Sequence, residues 1–135
     1  LTTSSAASDV YKRQVNINLI EIKLPISALT SITHRLAGMY IFFITYPLTV
    51  FLFYFSISSS ESFINLTNML INSIYISTFV AFSYLVLWYH ILTGVRHLIM
   101  DMHIGESLEA SKYSSIFVLF LWGLSVIATF VVMFI

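Results

Sequence analysis

The sequence has no cysteine and very few charged residues. Six Lys and Arg side chains balance six Asp and Glu among 135 residues, so charged residues make up 9% of the chain and the formal net charge is zero. Without cysteine, the chain can form no disulfide and cannot ligate zinc or an iron–sulfur cluster through thiolates. A zero net charge also leaves no basic field of the kind that attracts nucleic acid.

The motifs of soluble enzymes are missing as well. The sequence has no Gly-rich phosphate loop, no HExxH, no GxSxG and no carboxylate pair suited to acid–base catalysis. At 135 residues the chain is also too short to enclose a flavin site of its own. Any enzymatic role is therefore expected to be that of a subunit in a larger complex.

Apolar residues make up most of the chain. They account for 59% of it, aromatic residues for 16%, and the mean hydropathy is +0.93. Three runs, at about residues 36–57, 69–99 and 115–135, reach the ~20 residues that cross ~30 Å of hydrocarbon at ~1.5 Å per residue. These features predict an all-α membrane protein with three transmembrane helices.

The region before the first run is less regular. Residues 1–14 are small and polar, and we interpret them as a leader, either the remnant of a transit peptide or non-native sequence. Residues 15–135 are then expected to form one domain. Because proline suits the first turn of a helix, Pro25 predicts that residues 27–35 form a short interfacial helix or an early extension of the first span.

Basic residues predict the orientation in the membrane. Lys12, Arg13 and Lys23 precede the first span, and Lys112 lies in the loop of residues 101–115. The loop of residues 56–65 has no Lys or Arg. Since short inner loops carry an excess of Lys and Arg, the N-terminus is predicted inside and the C-terminus outside.

A first polar cluster lies at the start of the first span. Ser27, Ser31 and Arg35 are spaced i, i+4 and i+8, so on a helix they share one face. Two hydroxyls and a guanidinium at the membrane surface can hydrogen-bond a small polar head such as a quinone carbonyl. The alternative is that Arg35 and its neighbour His34 are interfacial anchors that extend toward lipid headgroups.

A second polar cluster lies at the end of the second span. His90, Gly94, His97 and Asp101 form one stripe along a helix, and ionisable groups in a span mark a functional or packed interior site. A neutral imidazole at the depth of His90 suits a haem iron, Gly94 would leave room for a porphyrin face, and His97 with Arg96 would meet the propionates. The alternative is that these residues serve helix packing.

A haem with two histidine ligands would need a second protein chain. His34 lies at the membrane surface, His97 is on the same helix as His90, and His103 is in a loop. None of the three can reach the opposite face of the same iron. The second axial ligand is therefore expected from a partner subunit.

At these two clusters the sequence resembles the cytochrome b membrane-anchor subunits of succinate dehydrogenase. The first motif of that family is S-x-x-H-R-x-x-G, matched by Ser31, His34, Arg35 and Gly38. The second is H-x-x-x-G-x-R-H-x-x-x-D, matched by His90, Gly94, Arg96, His97 and Asp101. The resemblance extends over residues 15–135, including the number and order of the spans.

The resemblance implies a role for each matched residue. His90 corresponds to the axial ligand of haem b, and the opposite ligand would come from the smaller hydrophobic anchor subunit. The implied quinone-binding residues are Ser31, Arg35 and, as a weaker addition, Ser27. The residues implied near the haem propionates are His34, Arg35 and His97.

The resemblance also implies the function of the whole. The chain would anchor the flavoprotein and iron–sulfur subunits to the membrane, and electrons from succinate would reduce ubiquinone at a site shared between subunits. The expected location is a bacterial inner membrane, with the mitochondrial inner membrane as the alternative. Three other functions stay open: a fumarate reductase anchor working in reverse with menaquinone, a haem-free structural anchor, and a small transporter or channel subunit.

Overall fold

The computed structural model describes residues 24–134, and this part of the chain is helical without any strand. The helices are α1 (Ile26–Tyr40), a π-helical turn (Ile41–Thr45), α2 (Tyr46–Ser58), α3 (Ser60–Asn72), α4 (Ile74–Asp101) and α5 (Leu108–Phe134). The predicted leader of residues 1–14 lies outside the described residues. The same is true of residues 15–23 of the predicted domain.

Three helices are long and apolar enough to cross a membrane, which confirms the predicted fold class. The first is Ile26–Ser58, which combines α1, the π turn and α2. The second and third are α4 and α5. The inside-to-outside orientation stays a prediction, since length and composition do not test it.

The first span begins ten residues earlier than the apolar run indicated. The Pro25 carbonyl accepts hydrogen bonds from the backbone N–H groups of Ala28 and Leu29, so α1 begins directly after this proline. Residues 27–35 are therefore an early extension of the first span, the second of the two forms predicted. With 33 residues the span measures ~50 Å, so it extends beyond the hydrocarbon into the headgroup region.

Pro47 is accommodated by the π turn that precedes it. The Tyr46 N–H bonds to the Ile41 carbonyl, five residues back, and Pro47 then occupies the first turn of α2. Proline has no N–H to donate, and wider turns of this kind are one way in which membrane helices accept it.

The loop predicted at residues 56–65 is largely helical, which corrects the sequence interpretation. Ser59 Oγ accepts a hydrogen bond of 3.0 Å from the Ser62 N–H and so caps α3, which packs against α2 and α4. The second span consequently begins at Ile74 rather than at residue 69. Only Asn72 and Ser73 separate the apolar residues at the end of α3 from those at the start of α4, which concealed the break between the two helices.

The third span likewise begins at Leu108 rather than at residue 115. Ser107 Oγ accepts a 3.2 Å hydrogen bond from the Ala110 N–H, which caps α5. Glu109, predicted to be a loop residue, lies in the first turn of α5. Glu106 stays in the loop, where its Oε1 is 2.7 Å from Nδ1 of His103.

The three spans meet through small hydroxyl residues. α1 packs against both α4 and α5, and α4 packs against α5. The most deeply buried side chains among the described residues are Thr30, Thr45, Thr93, Ser83 and Ser115. Small side chains let helices approach closely where lipid gives no hydrophobic driving force between them. Many large apolar side chains face outward, as a chain surrounded by lipid or partner helices requires.

Candidate functional site

The two sequence motifs meet in one groove between α1 and α4. The groove has a volume of about 430 Å³, and its lining residues are Ser31, His34, Arg35, His90, Gly94, His97, Leu98 and Asp101. It therefore brings together every predicted site residue except Ser27 and Arg96. That serine lies one helical turn before Ser31 on α1 and does not line the groove.

Three histidines form the centre of the groove. The rings of His34 and His90 are stacked, with centroids 4.0 Å apart and planes inclined by 6°. His97 lies 5.2 Å from His34 with its ring tilted by 53°. Since His34 comes from α1 and the other two from α4, the cluster forms only when the two spans pack.

The hydrogen bond of His90 determines which of its nitrogens carries the proton. Nδ1 of His90 lies 3.1 Å from the His34 backbone carbonyl. A carbonyl oxygen only accepts, so Nδ1 is the donor and Nε2 of the neutral ring keeps its lone pair. A backbone carbonyl that fixes the other ring nitrogen is the usual support of a metal-binding histidine.

A buried threonine that sequence reasoning missed holds His34. Thr93 is fully buried, and its Oγ1 lies 2.6 Å from His34 Nδ1. Thr93 Oγ1 also lies 2.8 Å from the Tyr89 carbonyl, and donation of its proton there leaves it as the acceptor for a His34 ring that carries its proton on Nδ1. The available signal was position: Thr93 is three residues after His90 and shares its helix face.

Tyr89 connects α4 to α1 in a similar way. Its hydroxyl lies 2.5 Å from Thr33 Oγ1, and Thr33 in turn donates to the Leu29 carbonyl at 2.8 Å. Tyr89 therefore donates to Thr33. Together with the contact between Thr93 and His34, this bond fixes the register of the two helices around the groove.

Two glycines make room for the imidazole rings. A Cβ at Gly38 would lie 3.1 Å from Cε1 of His90, and a Cβ at Gly94 would lie 3.4 Å from Cε1 of His34. Gly94 thus makes room for the His34 ring of α1, and the expectation that it also leaves room for a porphyrin face stays a prediction. Gly38 performs the corresponding role on α1.

Arg35 lies at the open edge of the groove. Its side chain is exposed, Ser31 beside it is half-buried, and Asp101 lines the same groove on α4. Within residues 24–134, the ion pair found by distance is His103–Glu106, so neither Arg35 nor Asp101 is engaged in one. The Arg35 guanidinium is thus free of carboxylates among these residues and can bind a ligand.

Arg96 does not belong to this groove. Its guanidinium donates to Oγ of Ser114 at 3.0 Å and to Oγ of Ser111 at 2.8 Å, both on α5. The expectation that Arg96 meets the propionates beside His97 is therefore wrong. Successive residues on a helix point about 100° apart, so neighbours in sequence face different helices.

The residues present fit a haem with one axial ligand from this chain. In the described part of the chain, no three His, Cys, Asp or Glu residues form a metal cluster. A haem needs no such cluster, since the porphyrin supplies four ligands and the protein only axial ones. The lone pair of His90 Nε2 lies in the ring plane, so the stacked ring of His34 does not block it.

Comparisons with known proteins show the family to which the chain belongs. Residues 9–132 match the family model described as succinate dehydrogenase/fumarate reductase transmembrane subunit. A relative from Coxiella burnetii (strain RSA 493 / Nine Mile phase I), named succinate dehydrogenase cytochrome b556 subunit, is 33% identical over 104 residues, which cover 77% of this chain and 82% of the relative. The chain therefore belongs to the succinate dehydrogenase/fumarate reductase transmembrane subunits, as a membrane anchor of the cytochrome b type.

Proposed function

We propose that this chain is the haem b-binding anchor of a succinate dehydrogenase, in which it holds the flavoprotein and iron–sulfur subunits at the membrane and forms part of the ubiquinone-reduction site. The observation that carries the proposal is that Ser31 and Arg35, the candidate quinone-binding residues, line the same groove as His90. The bacterial relative supports a bacterial inner membrane as the location.

His90 would hold the iron through Nε2. Its Nδ1 is fixed by the His34 carbonyl at 3.1 Å, so the ring presents an unprotonated nitrogen in one orientation. Haem b bound there would supply a one-electron carrier near the quinone site. The second axial ligand would come from the smaller hydrophobic anchor subunit, because His34 stacks on the face of the His90 ring and His97 is on the same helix as His90.

The remaining groove residues would receive the propionates and the quinone. Arg35 presents N–H donors suited to carboxylates, and His34 and His97 would donate beside it once protonated on the ring nitrogens that face the groove. Ser31 and Arg35 would donate to a quinone carbonyl, where a hydrogen bond from a charged group contributes about 1.5–3 kcal/mol. Ser27 is a secondary candidate, since it lies one turn outside the groove lining.

An optical difference spectrum of the complex tests the haem assignment. In the wild type we expect a b-type band in the reduced-minus-oxidised spectrum, and in His90→Ala we expect loss of the low-spin signal. The matched control is His103→Asn, which removes an exposed loop histidine at a φ of 61° that asparagine tolerates. Low-spin haem that persists unchanged in His90→Ala would show that the ligand is another residue.

The same spectrum separates the alternatives. A complex that assembles and oxidises succinate but has no b-type band would be a haem-free anchor. Measuring turnover in both directions, with ubiquinone and with menaquinol, distinguishes succinate oxidation from fumarate reduction. We favour succinate oxidation because the relative is named a succinate dehydrogenase subunit.

A further inference from the structure

Arg96 is a nearly buried cation in the contact between α4 and α5. Its side chain is 5% exposed. Nε donates to Ser114 Oγ at 3.0 Å, and Nη2 donates to the Ser111 carbonyl and Oγ at 3.0 and 2.8 Å. These bonds satisfy one edge of the guanidinium. Nη1 makes no hydrogen bond to the described residues.

The charge of Arg96 has no anionic partner in the part of the chain that the structure describes. The ion pair found there is His103–Glu106, in the loop between the two helices. A buried cation without a counter-charge is costly in a protein and more so in a membrane, so charges there are normally paired. Serine hydroxyls and a carbonyl orient the guanidinium but do not neutralise it.

An apolar groove opens beside Arg96. It has a volume of about 420 Å³ and lies between α4 and α5, in a different helix contact from the histidine groove. Arg96 and Ser114 are its polar side chains, and the rest of its lining is mainly aliphatic and aromatic, including Leu92, Val95, Phe117 and Leu121. Ile104 and Gly105 of the connecting loop also line the groove, so it extends to the loop end of the two helices.

We propose that this groove binds an anionic phospholipid, with the phosphate on Nη1 of Arg96 and an acyl chain along α4 and α5. Charge complementarity favours this occupant, because the one cation of the lining has no carboxylate among the described residues. A free phosphate would use the cation but leave the apolar lining uncovered, whereas a lipid satisfies both. Basic pockets between transmembrane helices on the inner side are typical sites for acidic lipid headgroups.

The test counts lipids on the complex isolated with the subunits that co-purify with the chain. The complex is delipidated in neutral detergent and titrated with phosphatidylglycerol or with phosphatidylcholine of the same acyl chains, and bound lipids are counted by native mass spectrometry. For the wild type we expect one site that prefers phosphatidylglycerol by about tenfold, the effect of one charge-assisted hydrogen bond. Inorganic phosphate at the same concentration is expected not to displace the lipid.

Three variants locate that site. Arg96→Gln should abolish the preference, whereas Lys112→Gln, which removes an exposed cation from the first part of α5, should leave it unchanged. Val95→Trp fills the groove and keeps Arg96 with its serine contacts, so it should also abolish the preference. This variant keeps the test decisive if Arg96→Gln does not assemble.

Three results would overturn the proposal. One is a phosphatidylglycerol preference in Val95→Trp equal to that of the wild type. A second is that the wild type retains phosphatidylcholine as well as it retains phosphatidylglycerol, which would mean that Arg96 does not bind an anionic lipid. Displacement by inorganic phosphate alone would likewise show an anion site without a lipid.

Discussion

The packing of Gly38 on α1 against the His90 ring gives the sharpest prediction, the effect of Gly38→Ala. The new Cβ would lie 3.1 Å from Cε1 of His90, whereas carbon atoms in favourable contact are about 3.5–4.0 Å apart. The His90 ring cannot simply rotate away, because its Nδ1 is bonded to the His34 carbonyl and its face is covered by the His34 ring. We therefore expect α1 and α4 to separate by roughly 0.5 Å.

The cost of that separation follows from three contributions. Overpacking of this size destabilises by about 1–3 kcal/mol, and loss of the hydrogen bond between His90 and His34 adds about 1 kcal/mol. Alanine in place of glycine stabilises a helix by about 1 kcal/mol, which offsets part of this cost. The expected net destabilisation is therefore about 1–3 kcal/mol, together with a changed environment of the His90 ring.

The matched control is Gly123→Ala, since a Cβ at Gly123 would meet nothing within 4 Å. Gly123→Ala should be neutral or stabilising by up to about 1 kcal/mol. The measurement is unfolding of the purified complex in detergent with increasing dodecyl sulfate, with the electron paramagnetic resonance signal of the proposed low-spin haem recorded in parallel. If Gly38→Ala matched Gly123→Ala in both measurements, the close approach at His90 would be disproved.

Three further substitutions test other contacts. Thr93→Val keeps the side-chain shape but leaves His34 Nδ1 without its hydrogen-bond partner, so we expect the free energy of unfolding in dodecyl sulfate to fall by about 1–3 kcal/mol. Thr93→Ser keeps the hydroxyl and should restore that stability. Wild-type stability in Thr93→Val would contradict the hydrogen bond between Thr93 and His34. Arg35→Ala should lower quinone reduction at least tenfold while succinate oxidation by a soluble dye persists, and an equal loss of both activities would indicate failed assembly instead. Ser59→Ala removes the α3 cap on Ser62 and should cost about 1 kcal/mol, measured by unfolding, whereas the exposed neighbour Ser60→Ala should not.

Much of the fold was predictable because membrane spans have a strong composition signal. The three apolar runs gave the number and order of the spans, which the helices confirm. Their ends were less predictable, since ends depend on caps rather than on hydropathy. Ser59 and Ser107 cap α3 and α5, and each lies in a segment that the sequence predicts to be a loop.

The membership of the site was predictable where residues share one helix face. His90, Gly94 and His97 line the same groove, as their spacing on α4 indicated. Ser27 shows the limit of this reasoning, because it shares a face with Ser31 and yet lies outside the groove. A helix face extends along the whole helix, while a groove ends where the neighbouring helix no longer covers it.

By itself, the sequence determined that this is a three-span membrane protein with two family motifs at the ends of its first two spans. Only the tertiary structure decided which atoms meet: that His34 stacks on His90, that Thr93 holds His34, and that Arg96 faces α5 rather than the groove beside His97. The physical reason is that hydropathy and periodicity describe one helix at a time. Contacts between helices depend on their relative rotation and depth, which the small buried side chains between them determine.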